Sequence, residues 1–126
     1  MAVDHLTRWL AIAFIAALSP AFADTAASEA EIEHLITAIG ESECVFVRNG
    51  KRHSARDAED HIRMKYRRAK RYASTAELFI ERLASKSSMS KKPYWMECPG
   101  NDAVRSGDWL NAELERYRAE KEQPGS

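Results

Sequence analysis

Two cysteines, Cys44 and Cys98, are the only ones in the 126-residue chain. If they are joined, the fold must bring the segment around residue 44 against the segment around residue 98. Few other sequence features constrain a small chain so strongly. Whether they are joined depends on compartment, because thiols stay reduced in the cytoplasm and pair in oxidising spaces.

The first 23 residues speak to that. Arg8 precedes an apolar run from Trp9 to Leu18, followed by Ser19-Pro20 and then Ala21-Phe22-Ala23. This is the order of a secretory signal peptide with an A-x-A site, and cleavage is expected after Ala23. Asp4 offsets Arg8, so the positive end is weak. Ten apolar residues rise about 15 Å as a helix, half of the roughly 30 Å that a bilayer core requires. The residue directly after the site is Asp24, not a cysteine that could carry a lipid. The expectation is a periplasmic protein, residues 24–126, with no stable membrane insertion after cleavage. An even cysteine count in such a chain predicts a Cys44–Cys98 disulfide. Closing a loop of that length contributes roughly 4 kcal/mol, against a net stability of about 5–15 kcal/mol for a small domain. A zinc site built from the cysteines with His34, His53 and His61 lacks any compact ligand spacing. No metal or cofactor is expected.

About 100 residues suffice for one domain with a modest core. Asp24 to Ala27 reads as disordered. Ser28 and Glu31 then form a capping-box pattern, and Ile32, Leu35, Ile36 and Ile39 recur at helical spacing. Val45-Phe46-Val47 leads into Asn49-Gly50, the dipeptide best suited to a type I′ hairpin turn. Ser54 with Asp57 opens a second helix, whose stripe of Ile62, Tyr66, Ala69, Ala73, Ala76, Ile80 and Leu83 reaches residue 84. Ser74-Thr75-Ala76-Glu77 is itself a helix start, so the sequence leaves open whether 55–84 is continuous or broken near Ser74. The polar loop Ser85 to Pro93 precedes a third strand, Tyr94 to Cys98. Alternation puts Cys44 on the face of Phe46, and Cys98 on the face of Met96 and Tyr94. A bridge would therefore staple the third strand to the hairpin. Ser106 or Asp108 is expected to cap a last helix with Leu110, Leu114 and Tyr117 inward, ending in a frayed polar tail beyond about Lys121. The fold class is α+β, with three to four helices on a two- or three-stranded antiparallel sheet and one disulfide.

Formal net charge is zero, but its distribution is uneven. Asp24 to Glu43 carries six acids and no Lys or Arg, whereas Arg48 to Arg71 sets ten bases against three acids. In a cytoplasmic chain the stretch HIRMKYRRAKRY, with its bases and tyrosines, would suggest phosphate neutralisation on nucleic acid. Export removes that partner, and Tyr66 falls on the buried stripe. Arg56, Arg63 and Lys70 lie on one line with Arg67 beside it, as on a solvated flank whose stems cover the core edge. That flank is either paired internally or a surface for an anionic envelope component or an envelope protein.

Catalytic patterns are thin. Ser88-Met89-Ser90-Lys91 spells S-x-x-K, but in a serine- and lysine-rich loop rather than at the helix start where that motif works. His61 near Glu59 and Asp60 has the ingredients of an oriented general base, yet adjacent helical residues point apart. His53 is placed opposite Phe46 as a packed edge residue. Trp95 and Trp109 are expected to be second-layer core or, if exposed, aromatic platforms for a sugar or peptide.

The run His61 to Tyr66, Thr75-Ala76-Glu77 with Phe79-Ile80, Ala84 to Ser88, Lys92-Pro93-Tyr94, Trp109-Leu110 and the ending Leu114, Tyr117, Arg118 resembles the YfeK-like family of small exported bacterial proteins of unknown function. The likeness runs from about Glu31 to Arg118. It implies a periplasmic single-domain protein and brings no reaction, cofactor or ligand. Members of that family often carry Gly where this chain has Lys91, which implies a less tight loop here. The reading is a non-catalytic envelope binding or interaction protein. Its candidate ligand surface joins His61, Arg63, Arg67 and Lys70 to Lys91 and Lys92. The alternative is a small envelope hydrolase or an inhibitor of an envelope enzyme.

Overall fold

Asn49 and Gly50 have φ of 50° and 77°, the paired left-handed positions that a type I′ turn demands. In the computed structural model, which describes residues 20–123 and side chains from Asp24 onward, this turn joins β1 (Val45–Arg48) to β2 (Lys51–His53). The register pairs Phe46 with His53, as alternation requires. β1 also pairs antiparallel with β3 (Trp95–Glu97), Phe46 opposite Met96. A fourth strand, β4 (Val104–Arg105), adds to the far edge and gives the order β2-β1-β3-β4. Two residues carry too little pattern to be read as a strand, and the sequence reading stopped at three. Cys44 and Cys98 are joined, on the face that buries Phe46, Tyr94 and Met96.

Four helices surround this sheet. α1 (Pro20–Glu41) starts well before the expected Ser28, so Asp24 to Ala27 is helical rather than disordered. Alanines at 21, 23, 26, 27 and 30 favour helix, and Ala27 and Ala30 line a groove shared with Tyr117. Glu31 therefore faces Arg118 instead of closing a capping box. The inward residues Ile32, Leu35, Ile36 and Ile39 are buried as expected. The expected leader, 1–23, falls on residues that are either outside the described part or described by backbone alone.

α2 (Ala55–Ala69) is capped by Ser54, whose hydroxyl accepts from Asp57 N at 3.1 Å. The stripe beyond it does not continue as one helix. A single 3-10 turn (Lys70–Tyr72) ends α2, and Thr75 caps a new start by accepting from Leu78 N at 3.1 Å. α3 (Ala76–Phe79) then widens into a π turn over Ile80–Ala84. Arg82 donates to the Tyr72 carbonyl at 3.1 Å, satisfying an acceptor that the break leaves open. The reorientation keeps Phe79, Ile80, Leu83 and Ala84 buried together.

α4 (Ser106–Lys121) buries Leu110 and Leu114. Neither expected cap operates. Ser106 is fully buried and its hydroxyl donates to Ala84 O at 2.7 Å, while its N–H donates to Tyr94 O at 2.9 Å. Ser106 therefore pins the start of α4 to the end of the π turn and the start of β3. Tyr117 lies flat against His34 of α1, ring centroids 4.1 Å apart. No helix among the described residues is long and apolar enough to cross a membrane.

Candidate basic cleft between α2 and the 85–94 loop

The basic residues of α2 form two rows on opposite flanks, separated by the buried line of Ala58 and Ile62 with Tyr66 and Ala69 beyond it. Residues 63 and 70 turn toward acidic α1. Arg63 bonds to Glu33 at 2.6 Å and to Glu59 at 3.1 Å, and Lys70 to Glu29 at 3.1 Å. Arg67 is exposed. Residues 61, 65 and 68, spaced i, i+4 and i+7, turn the other way. They line a cleft of about 390 Å³ that Arg48, the Asn49 turn and the 85–94 loop complete.

The loop is held by a set of short bonds. Ser87 N donates to Lys92 O and Lys91 N to Ser87 O, each at 3.0 Å. Ser90 N donates to the Ser87 hydroxyl at 3.2 Å, and the Ser90 hydroxyl reaches across to the Asn49 side-chain oxygen. Lys91 has φ of 62°, the left-handed region that glycine enters without strain. The glycine implied there by the family likeness has a geometric reason, and the turn forms with lysine in its place. Met89 sits at the tip of this pinned turn, 94% exposed.

At the cleft's floor is Tyr94, almost wholly buried and packed on Phe46 with centroids 5.0 Å apart. Lys65 Nζ donates to the Tyr94 hydroxyl at 3.1 Å and to the Lys86 carbonyl at 3.3 Å. Burial first, then the charges of Arg48 and Lys91, push its pKa down to about 8. His61 lies beside Arg48, whose Nη1 is 2.6 Å from Nε2 and 2.9 Å from Nδ1, close enough to donate to one ring nitrogen. Burial, then Arg48, Lys65 and His53, lower its pKa to about 4. His61 is thus neutral near pH 7 and able to accept that bond. Burial raises the Tyr94 phenol, with Arg48 partly opposing it.

Among the described residues Arg48, Lys65 and Arg68 have no carboxylate within ion-pair distance, whereas Arg52 and Lys70 each have one and Arg63, Arg116 and Arg118 each have two. Glu59 bonds to Arg63, and neither it nor Asp60 bonds to His61, so the expected carboxylate-oriented base is not assembled. His53 lies beside a small cavity shared with Asp57 and His61, and its Nε2 is buried with no hydrogen-bond partner. His34 bonds to Glu113 at 2.9 Å. Among the described residues no group of three His, Cys, Asp or Glu is arranged to hold a metal.

Of the residues singled out in the sequence, His61 lies in the cleft. Lys91 lines a neighbouring hollow with Lys86 and Arg105 but is near enough to depress Lys65. Lys92 is exposed on the same loop. Arg63 and Lys70 are paired to α1, on the opposite flank. Arg48, Lys65, Arg68, Met64 and Tyr94 were missed. The i, i+4, i+7 spacing of His61, Lys65 and Arg68 was present in the sequence, but the parallel line through 56, 63 and 70 drew attention instead. Ser88 and Lys91 sit in a turn, so the S-x-x-K letters have no helix start. Trp95 is 37% exposed on the open face of the sheet with the Arg105 guanidinium 5.5 Å from its ring, while Trp109 packs against the core.

Residues 26–118 match the model of a family of unknown function, DUF5329. The uncharacterized protein YfeK of Salmonella typhimurium is 39% identical over 77 residues, which cover 60% of this chain and 64% of the relative. The chain thus spans somewhat less than two thirds of that relative's length. No solved structure matches.

Proposed function

We propose, for a chain that belongs to the DUF5329 family of unknown function, the role of an exported, non-catalytic periplasmic protein that binds a small anion in the cleft between α2 and the 85–94 loop. One observation carries this reading. Arg48, Lys65 and Arg68 are gathered around one hollow with no acid in its lining, whereas Arg63 and Lys70 on the opposite flank of the same helical segment are each met by a carboxylate. Bringing like charges together without a counterion is unfavourable, and a bound anion relieves it.

Binding is favoured over hydrolysis because His61, the one candidate general base in the hollow, has a guanidinium as partner and a pKa of about 4. Such a group is a poor base at neutral pH, where a catalytic pKa works best near the operating pH. The disulfide agrees with an oxidising compartment, and the apolar run before Pro20 with the A-x-A site supports export.

Two measurements test the reading. Titration of the purified chain with inorganic phosphate should give binding that weakens as salt is raised and falls at least about tenfold in Arg68→Gln. Saturable binding that ignores both salt and Arg68→Gln would refute the cleft as the site. For export, the mass of the chain recovered from the periplasm should begin at Asp24. Recovery of a full-length, reduced chain from cytoplasm would refute that part.

A further inference from the structure

The cleft is not lined by bases alone. Met64 stands among His61, Lys65 and Arg68 on the same face of α2, and Met89 lies on the facing loop. Met89 is the informative member. A methionine exposed to 94% on a floppy loop would mean little, but this one stands on a turn fixed by four hydrogen bonds and tied to the Asn49 turn. A rigid segment thus presents a flexible, polarizable apolar side chain to solvent at the rim of a cationic hollow. Methionine in that setting suits surfaces that adapt to apolar partners.

We infer that the ligand is a single anionic amphiphile, its phosphate or carboxylate head held by Arg48, Lys65 and Arg68 and its hydrocarbon portion lying over Met64 and Met89. The inference rests on the anion-binding reading and adds the chemical class of the ligand. Charge complementarity fixes the head, and the volume of about 390 Å³ admits a head group with a short length of chain, leaving the rest over the rim. Covering the exposed Met89 side chain adds roughly one to two powers of ten in affinity. Such a molecule has two sources, free in solution or drawn from an anionic bilayer.

The test compares methyl phosphate with octyl phosphate, identical in head and different in tail, on the full chain. Octyl phosphate should bind at least about tenfold more tightly. Met89→Ser should bring the two within about threefold while leaving methyl phosphate unchanged. Arg68→Gln should weaken both. Equal binding of the two phosphates overturns the amphiphile and leaves the anion site standing, whereas absence of binding by either removes both readings. Equal binding of octyltrimethylammonium also overturns it, because the head would then play no part. Vesicles of phosphatidylcholine with phosphatidylglycerol separate the sources. Sedimentation with the vesicles that octyl phosphate reverses makes the membrane the source, and no sedimentation makes the ligand a free one. Sedimentation without any binding of octyl phosphate overturns the single-molecule site in favour of a bilayer surface.

Discussion

Arg118 of α4 grips Glu31 of α1 with two hydrogen bonds, Nε to Oε2 at 2.6 Å and Nη2 to Oε1 at 2.9 Å, across 87 residues of sequence. Its remaining nitrogen, Nη1, meets Glu77 of α3 at 2.6 Å. One planar guanidinium thereby joins three helices, a geometry that lysine cannot reproduce.

Arg118→Met, which keeps the apolar stem, should lower unfolding stability by about 1 kcal/mol, a value discounted for the partial exposure of the site. Arg118→Lys should recover less than half of that. Urea denaturation midpoints give both numbers, and wild-type stability in Arg118→Met would show the clamp to be ornamental.

Acid should weaken the fold through the same region. The hydrogen bond from Arg118 holds the Glu77 carboxyl below its usual range. At Glu113 burial acts upward, but hydrogen bonds from Arg116 and His34 outweigh it and the net shift is down. Folded values below unfolded ones mean that the stabilisation is complete above about pH 4.5 and is lost as pH falls through the folded pKa values. Stability measured from pH 7 to pH 3 should be flat at first and then decline, and Arg118→Met should shrink the decline. A slope beginning near pH 6 would contradict the assignment.

The covalent link between strands makes a larger claim. Cys44 and Cys98 close a loop of 54 residues, and removing both as Cys44→Ser with Cys98→Ser should cost roughly 4 kcal/mol. A reductant added to the wild-type chain should reproduce that loss in equilibrium unfolding. Equal midpoints with and without reductant would mean that residual structure in the unfolded chain already holds the two segments together.

Lys91 offers a trade between stability and charge. With φ of 62°, its replacement by glycine should raise stability by roughly 1 kcal/mol by removing left-handed strain. The same change takes a positive charge from beside Lys65, so phosphate affinity should fall by about twofold to fivefold. A destabilised Lys91→Gly would show that side-chain contacts outweigh backbone strain at that turn.

Anion affinity should depend on pH in a defined sense. The groups facing His61 and Lys65 are Arg48 from β1, His53 from β2, Asp57 and Arg68 from α2, and Tyr94 with Lys91 from the loop side. Free Lys65 has a pKa of about 8, and a bound anion favours its ammonium form. Affinity for sulfate, which does not titrate in this range, should rise as pH falls toward about 8 and then level. A second rise should follow well below pH 6 as His61, near 4 when free, takes up a proton in the complex. Calorimetry in buffers of different ionisation heat reads this uptake, and affinity that increases with pH would refute it.

Local rules carried much of the architecture. Asn49-Gly50 specified its turn, Ser54 its cap, and the parity of Cys44 with Phe46 and of Cys98 with Met96 specified the bridge, because each depends on neighbours in sequence. The helix break was present as an alternative at Thr75. What escaped depended on distant partners. α1 is longer than its polar start suggested because alanines lie beside Tyr117, and Ser106 leaves its cap role because Ala84 O is nearer use. The cleft was half legible. His61, Lys65 and Arg68 share a helix face, but Arg48 and Tyr94 join them only through the sheet, and acidic α1 neutralises the flank that looked most basic.

The Cys44–Cys98 bond has a topological consequence. Every cleft residue, from Arg48 to Tyr94, lies inside the ring that the bond closes, while α1, β4 and the whole of α4 hang outside it. A protease that nicks the backbone once within the ring leaves both walls of the hollow tethered through sulfur, whereas a nick outside it sheds a helix. The recognition surface is in effect a cyclic module, and the terminal helices are clasps laid across it.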